Sequence, residues 1–161
     1  MLNKLFKKKI RLVTHNGSFH TDDIFACATL SLYLEKKGEN FEIIRTRDEQ
    51  IIKDADYVFD VGGIYDPSIN RFDHHQKGGA GGRTIPSGNE EQVATIEYAA
   101  FGLVWKQIGK ELTSSQEVAN IIDKRLVSPI DAHDNGFDLV EKKYEVFPYI
   151  IQDIFRVMRS T

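Results

Sequence analysis

The chain has 161 residues, 41% hydrophobic and 28% charged, which is enough apolar material for one ordinary core and too little length for two full domains. A formal charge of -3 excludes a protein that holds nucleic acid by a basic surface alone, so a polyanionic substrate would need bound cations to reverse the sign of an acidic site. The single cysteine, Cys27, excludes an intramolecular disulfide and a thiolate zinc cage, and any metal must be held by His, Asp and Glu.

No apolar run approaches the ~18 residues of a membrane span, and the stretch from Met1 to Lys9 lacks the apolar core of a secretory signal. The expectation is one compact, soluble, cytoplasmic domain over residues 1–161. Lys4, Lys7, Lys8, Lys9 and Arg11 form a basic run that reads as a solvated terminus.

Lys9 to Thr14 reads as a strand, and the polar turn at Asn16 and Gly17 leads to Asp22, read as the N-cap of a helix from Asp23 to Lys37. That helix is apolar on nearly all sides, as expected of one packed on a sheet, and Gly38 suits its C-terminal cap. Phe41 to Thr46 is a second strand, Asp48 to Ala55 a short helix, and Tyr57 to Val61 a third strand ending at Gly62 and Gly63. Asn70 to Asp73 is a fourth, short strand. The segment Gln76 to Asn89 carries five of the twelve glycines and reads as a surface loop, because it has no Walker spacing. Glu91 to Leu112 reads as one long amphipathic helix, Ser114 with Glu117 as a capping box, and Tyr149 to Met158 as a last amphipathic segment. Alternating strands and helices predict an α/β fold, a doubly wound and mainly parallel sheet with helices on both faces. Catalytic groups then belong at the carboxyl ends of the strands.

The five histidines fall into three clusters, each beside a carboxylate or an expected strand end. His15 and His20 flank the first strand-to-helix turn with Asp22 and Asp23, where small turn residues let several ligands converge. Asp60 ends a buried hydrophobic strand, where a charge costs several kcal/mol unless paired or coordinated; it is well placed to bridge two metals. His74 and His75 follow Asp73, and on extended backbone their rings would diverge, one toward metal and the other toward substrate. Asp131 and Asp134, on either side of His133, would share a helix face.

Five runs, THNGSFHTDD (14–23), DVGGIYDP (60–67), RFDHHQ (71–76), FGLVW (101–105) and DAHDNG (131–136), together resemble the melanocyte-proliferating-gene family, which is related to the DHH phosphoesterases. The resemblance covers about Lys9 to Gly136. It implies a DHH-like domain and a metal-dependent hydrolase, in some members a 3′ to 5′ RNA exonuclease, with a dinuclear site that usually takes manganese, magnesium being an alternative. Carried over by position, His15, His20 and Asp60 would hold one metal. Asp22, Asp60, His74 and either Asp134 or Asp131 would hold the second, Asp134 being favoured by its Asp-Asn-Gly context. His75 would face the scissile phosphate. Asp23, Asp73 and His133 are expected to orient the ligands. His20 stands where many DHH enzymes have an aspartate, and Ala99 and Ala100 where relatives have serines. Family members are nearly twice as long, so their C-terminal part is expected to be absent here.

These readings predict in-line hydrolysis of a single-stranded nucleic acid or nucleotide, assisted by two cations, in a chain that can form a homo-oligomer. Two rivals use the same residues: a hydrolase of small phosphates such as pyrophosphate or short oligonucleotides, and a metal- or nucleotide-binding module without turnover. A peptide hydrolase is disfavoured, because no His-Glu-x-x-His helix is present.

Overall fold

A computed structural model describes residues 8–86, 93–141, 144–146, 148 and 150–158. Lys4 and Lys7 of the basic run, residues 87–89 of the expected loop, Glu91 and Gln92 at the start of the expected long helix, and Tyr149 lie outside the described residues.

Five strands form one sheet: β1 (Ile10–Thr14), β2 (Phe41–Arg45), β3 (Tyr57–Phe59), β4 (Tyr65–Asp66) and β5 (Arg71–Phe72), in the order β2-β1-β3-β5-β4. β2, β1, β3 and β5 run parallel, and β4 closes one edge antiparallel to β5. Side chains alternate across the sheet, so neighbouring residues serve opposite layers. Leu12, Phe59 and Phe72 point into the main core with α1 (Thr21–Lys36), while Val13 and Val58 face α2 (Glu49–Lys53) through Ile51 and Ile52. Helices therefore flank both faces of an α/β sheet, as the alternation of elements predicts. Because β1 leads to β2 on one side and the chain then crosses to β3 on the other, the carboxyl ends of β1 and β3 border the crevice where strand order reverses.

The second half departs from the sequence reading. Residues 82–86 of the expected loop and 93–97 of the expected long helix pair as a hairpin, β6 (Gly82–Pro86) antiparallel to β7 (Val93–Glu97). Gly82 is required there, since a Cβ would lie 2.6 Å from the Ile96 carbonyl. α3 begins only at Ala100 and runs to Thr113. Val93, Thr95 and Ile96 are β-branched, and pairing with β6 outweighs the weak helical pattern of the segment. The next cap is Ser115 rather than Ser114: its side chain accepts from Val118 N–H at the start of α4 (Gln116–Ile122), while Ser114 is left-handed at the end of α3. A π-helical turn (Asp123–Val127) joins α4 to α5 (Ser128–Asp134), and α6 (Ile151–Met158) packs through Phe155, edge-on to Phe25 of α1. Among the described residues no helix is long and apolar enough to cross a membrane.

Candidate metal centre

β1 ends in the turn that carries His15. Gly17 N–H donates to His15 Nδ1 at 3.1 Å, which aims Nε2 at Asp23 Oδ2 (2.7 Å) and Asp60 Oδ2 (3.2 Å). α1 starts at Thr21 with His20 as its cap residue, so Asp22 is not the expected N-cap but sits inside the first turn. The His20 backbone N–H donates to Asp23 Oδ1 at 3.1 Å.

At the end of β3 the chain turns sharply. Asp60 has φ 53 and Gly62 and Gly63 have φ 97 and 69, a left-handed path that glycine follows freely and Asp tolerates better than most residues. The turn brings Gly63 N–H to Asp73 Oδ2 at 2.5 Å. Asp73 Oδ1 accepts from the His75 backbone N–H (3.1 Å) and lies 2.7 Å from His75 Nδ1, fixing that ring. β5 stops at Phe72, so His74 and His75 are not on strand backbone and their rings do not diverge. Their centroids lie 4.3 Å apart, and both rings reach Asp60, from His74 Nε2 at 3.3 Å and His75 Nδ1 at 3.6 Å.

Asp60 is thus the meeting point of three imidazoles from the ends of β1 and β5. On its far side, His74 Nε2 lies 3.5 Å from Asp134 Oδ2. Three overlapping groups, His15/His20/Asp60, Asp60/His74/His75 and Asp22/His74/Asp134, have donor atoms within 4.8 Å of one another and could hold metal ions. His15 Nε2, His74 Nε2 and Asp23 Oδ2 are buried with no hydrogen-bond partner, although carboxylates lie nearby. Buried polar atoms in folded proteins are rarely left so, and a divalent cation with nitrogen and oxygen ligands would supply the missing partner.

Electrostatics point the same way. Burial lifts the Asp22 carboxyl well above the usual carboxylate range, and Asp134, Asp60 and Asp131 add to it. Asp134 is raised by burial and then by Asp60, against the pull of His74. Burial pushes Asp23 up to about 6 despite His15. Asp60 is the exception: burial pushes it up, but His15 and His74 beside it outweigh burial and hold it below the usual range. In return the Asp60 carboxylate raises His15, and Asp60 with Asp134 raises His74 although burial alone would lower it. The cation-free site therefore binds protons up to a higher pH than isolated side chains would, and a cation must displace them. Manganese affinity should rise with pH, with net proton release, as the raised carboxyl and imidazole groups of the site give up their protons. Calorimetric titrations in two buffers of different ionisation enthalpy measure both quantities; an affinity flat in pH with no released proton would contradict this account of the site.

Asp22 has a second task that links the centre to the core. Its Oδ2 accepts from Ala100 N–H at 3.1 Å and its Oδ1 from Phe101 N–H at 2.7 Å, so a side chain of α1 caps α3. The next amide of α3, Gly102 N–H, donates to Asp131 Oδ1 at 3.0 Å. Free amides at a helix start suit carboxylates by charge and by geometry. A Cβ at Gly102 would collide with the Asp131 carboxylate.

Asp131 and Asp134 differ in what they touch. Asp131 is fully buried and ion-paired with Arg83 of β6, and among the described residues it joins none of the potential metal-holding groups. Burial still pushes its carboxyl up to about 7 against that guanidinium. Arg83 also grips Asp123 of the π-helical turn, through Nε (2.9 Å to Oδ2) and Nη2 (2.7 Å to Oδ1). Asp134, three residues further along α5, lines a cavity of about 600 Å³ with His20, His74, His75 and His133. Gln152 and Arg156 of α6 line it as well. Sequence reasoning missed these two because α6 reads only as amphipathic, and missed Arg83 because its glycine-rich surroundings read as a loop.

The family model MYG1_exonuc, described as "Uncharacterised protein family (UPF0160)", matches residues 11–159. The human "MYG1 exonuclease" is 37% identical over 137 residues, covering 78% of this chain and 35% of the human protein. The mouse "MYG1 exonuclease" is 39% identical over 137 residues with the same shares, 78% and 35%. The Caenorhabditis elegans "MYG1 protein C27H6.8" is 36% identical over 135 residues, 76% of this chain and 38% of that one. The matched stretch thus spans little more than a third of these relatives, which are longer than the sequence resemblance implies. No solved structure matches the chain. A match that runs through β1, the Asp60 turn, the paired histidines and α5 to the end of α6 makes this chain a member of the MYG1 exonuclease family.

Proposed function

We propose that this chain is a divalent-metal-dependent phosphodiesterase of the 3′ to 5′ RNA exonuclease type, folded as a single DHH-like domain. The observation that carries the reading is the convergence of three imidazoles on Asp60, with two unpartnered ring nitrogens facing buried carboxylates. His15, His20 and Asp60 would hold one cation, and Asp22, Asp60, His74 and Asp134 a second. Manganese suits this all-nitrogen and oxygen set, with magnesium as the alternative. Bound there, such cations supply an activated water and neutralise charge on phosphoryl oxygens.

The chain's own side chains supply the rest. Gly17 N–H holds His15 from behind through Nδ1, Asp23 stands beside the Nε2 that faces the site, and Asp22 is fixed by the α3 amides, so these groups are held in place as charge changes. With carboxylate Asp73 as acceptor, His75 Nδ1 carries a proton and Nε2 is left for substrate. His75 is 61% exposed at the cavity, so its Nε2–H, when protonated, can donate to a phosphoryl or leaving oxygen. The names of the mammalian relatives support a nuclease.

The pure protein incubated with manganese and separate samples of single-stranded RNA, single-stranded DNA, pyrophosphate and a chromogenic phosphodiester should shorten RNA from its 3′ end. Turnover confined to pyrophosphate would favour a small-phosphate hydrolase. No turnover of any substrate at full metal content would favour a binding module.

A further inference from the structure

The cavity beside the metal centre is larger than one phosphate needs, and α6 forms part of its wall. α6 is oriented by Ile151, packed on the core, and Phe155, edge-on to Phe25 with ring centroids 5.9 Å apart. Gln152 and Arg156 follow each of these by one residue. At about 100° per residue they share the adjoining face, which the cavity borders. The other titratable groups in the wall are aspartates and histidines, so among the described lining residues Arg156 carries the one permanent positive charge. Its ion pair is with Asp153 in the same helix, at 3.5 Å, with the Arg156 side chain 67% exposed. Such a pair is weak and is readily given up to a better acceptor.

We propose that Arg156, with Gln152 as its neutral hydrogen-bonding companion, forms an anion subsite. It takes a phosphate of a nucleic acid strand other than the one being cut. The proposal rests on the nuclease reading above and narrows it to substrates with at least two phosphates. A guanidinium suits this task because its planar donor fork matches phosphate oxygens, and Gln152 adds an amide donor without adding charge. Bound cations would offset the carboxylates that line the cavity, and Arg156 adds a fixed positive charge to the same wall.

The test uses the whole chain loaded with manganese and a fluorescent four-nucleotide RNA, with binding followed by stopped-flow anisotropy before turnover, over a salt series. Arg156→Ala should weaken binding about tenfold and flatten the dependence of log affinity on log salt by about 0.7, the value for one single-strand phosphate contact. Arg156→Lys should keep the slope while losing part of the affinity. Manganese content should be unchanged in both variants. Equal affinity and equal slope for wild type and Arg156→Ala would overturn the subsite alone. Failure of the manganese-loaded wild type to bind the RNA at all would overturn the subsite and the nucleic-acid reading together.

Discussion

Asp60→Asn should leave a folded chain that has lost its cations and more than about 100-fold of its hydrolytic rate. The backbone argues that the variant folds. Position 60 is left-handed, with φ 53, and asparagine accepts that conformation at least as readily as aspartate. The side chains argue that the loss is wide. Asp60 belongs to two of the three potential metal-holding groups and lies between His15 at 3.2 Å and His74 at 3.3 Å. An amide in its place keeps the shape but removes the charge that holds those imidazoles, and its NH₂ group cannot ligate a cation. Manganese content by elemental analysis, with thermal unfolding in manganese and in chelator, gives the readout. Wild type should gain stability from manganese, since a cation that binds only the folded state stabilises it. The variant should show no such gain. Full metal content and full activity would remove Asp60 from the centre of the proposal.

Much of this site is legible in the sequence because it is built from strand ends. A hydrophobic run followed by Asp60 and paired glycines announces a carboxylate at the rim of a sheet, and the structure has Asp60 there. What sequence periodicity cannot carry is pairing between distant segments. Asp22 reads as the cap of its own helix because capping is usually local, yet its oxygens serve Ala100 and Phe101 instead. The β6–β7 hairpin hides for a related reason: two five-residue strands, GRTIP and VATIE, give too short an alternation to outweigh a neighbouring helix. Similarly, the spacing of Asp131 and Asp134 makes them equivalent on a helix face. What separates them is Arg83, a residue of that hairpin, which pairs with Asp131.

Arg83 therefore carries the second large prediction, because it joins three parts of the chain that bear on Asp134. Its guanidinium is nearly buried, lies 4.4 Å over the Tyr98 ring, grips Asp123 with two nitrogens and pairs with Asp131 through the third. Asp131 in turn holds Gly102 of α3, and Asp134 follows it one helical turn later in α5. Arg83→Met should cost about 3–5 kcal/mol, because it leaves the fully buried Asp131 without its cation, so that the carboxyl must either take up a proton or stay an unpaired charge. The double variant with Asp131→Asn should recover part of that loss, since an asparagine side-chain oxygen still accepts from Gly102 N–H and no buried charge is left over. Arg83→Lys should recover less, as one ammonium cannot serve Asp123 and Asp131 at once. Manganese content separates a positioning role from a merely structural one. If Arg83 sets the place of Asp134, the double variant at a temperature where it is fully folded should still show weakened manganese binding. A double variant with wild-type stability and wild-type manganese affinity would mean that α5 holds Asp134 in place without help from the hairpin.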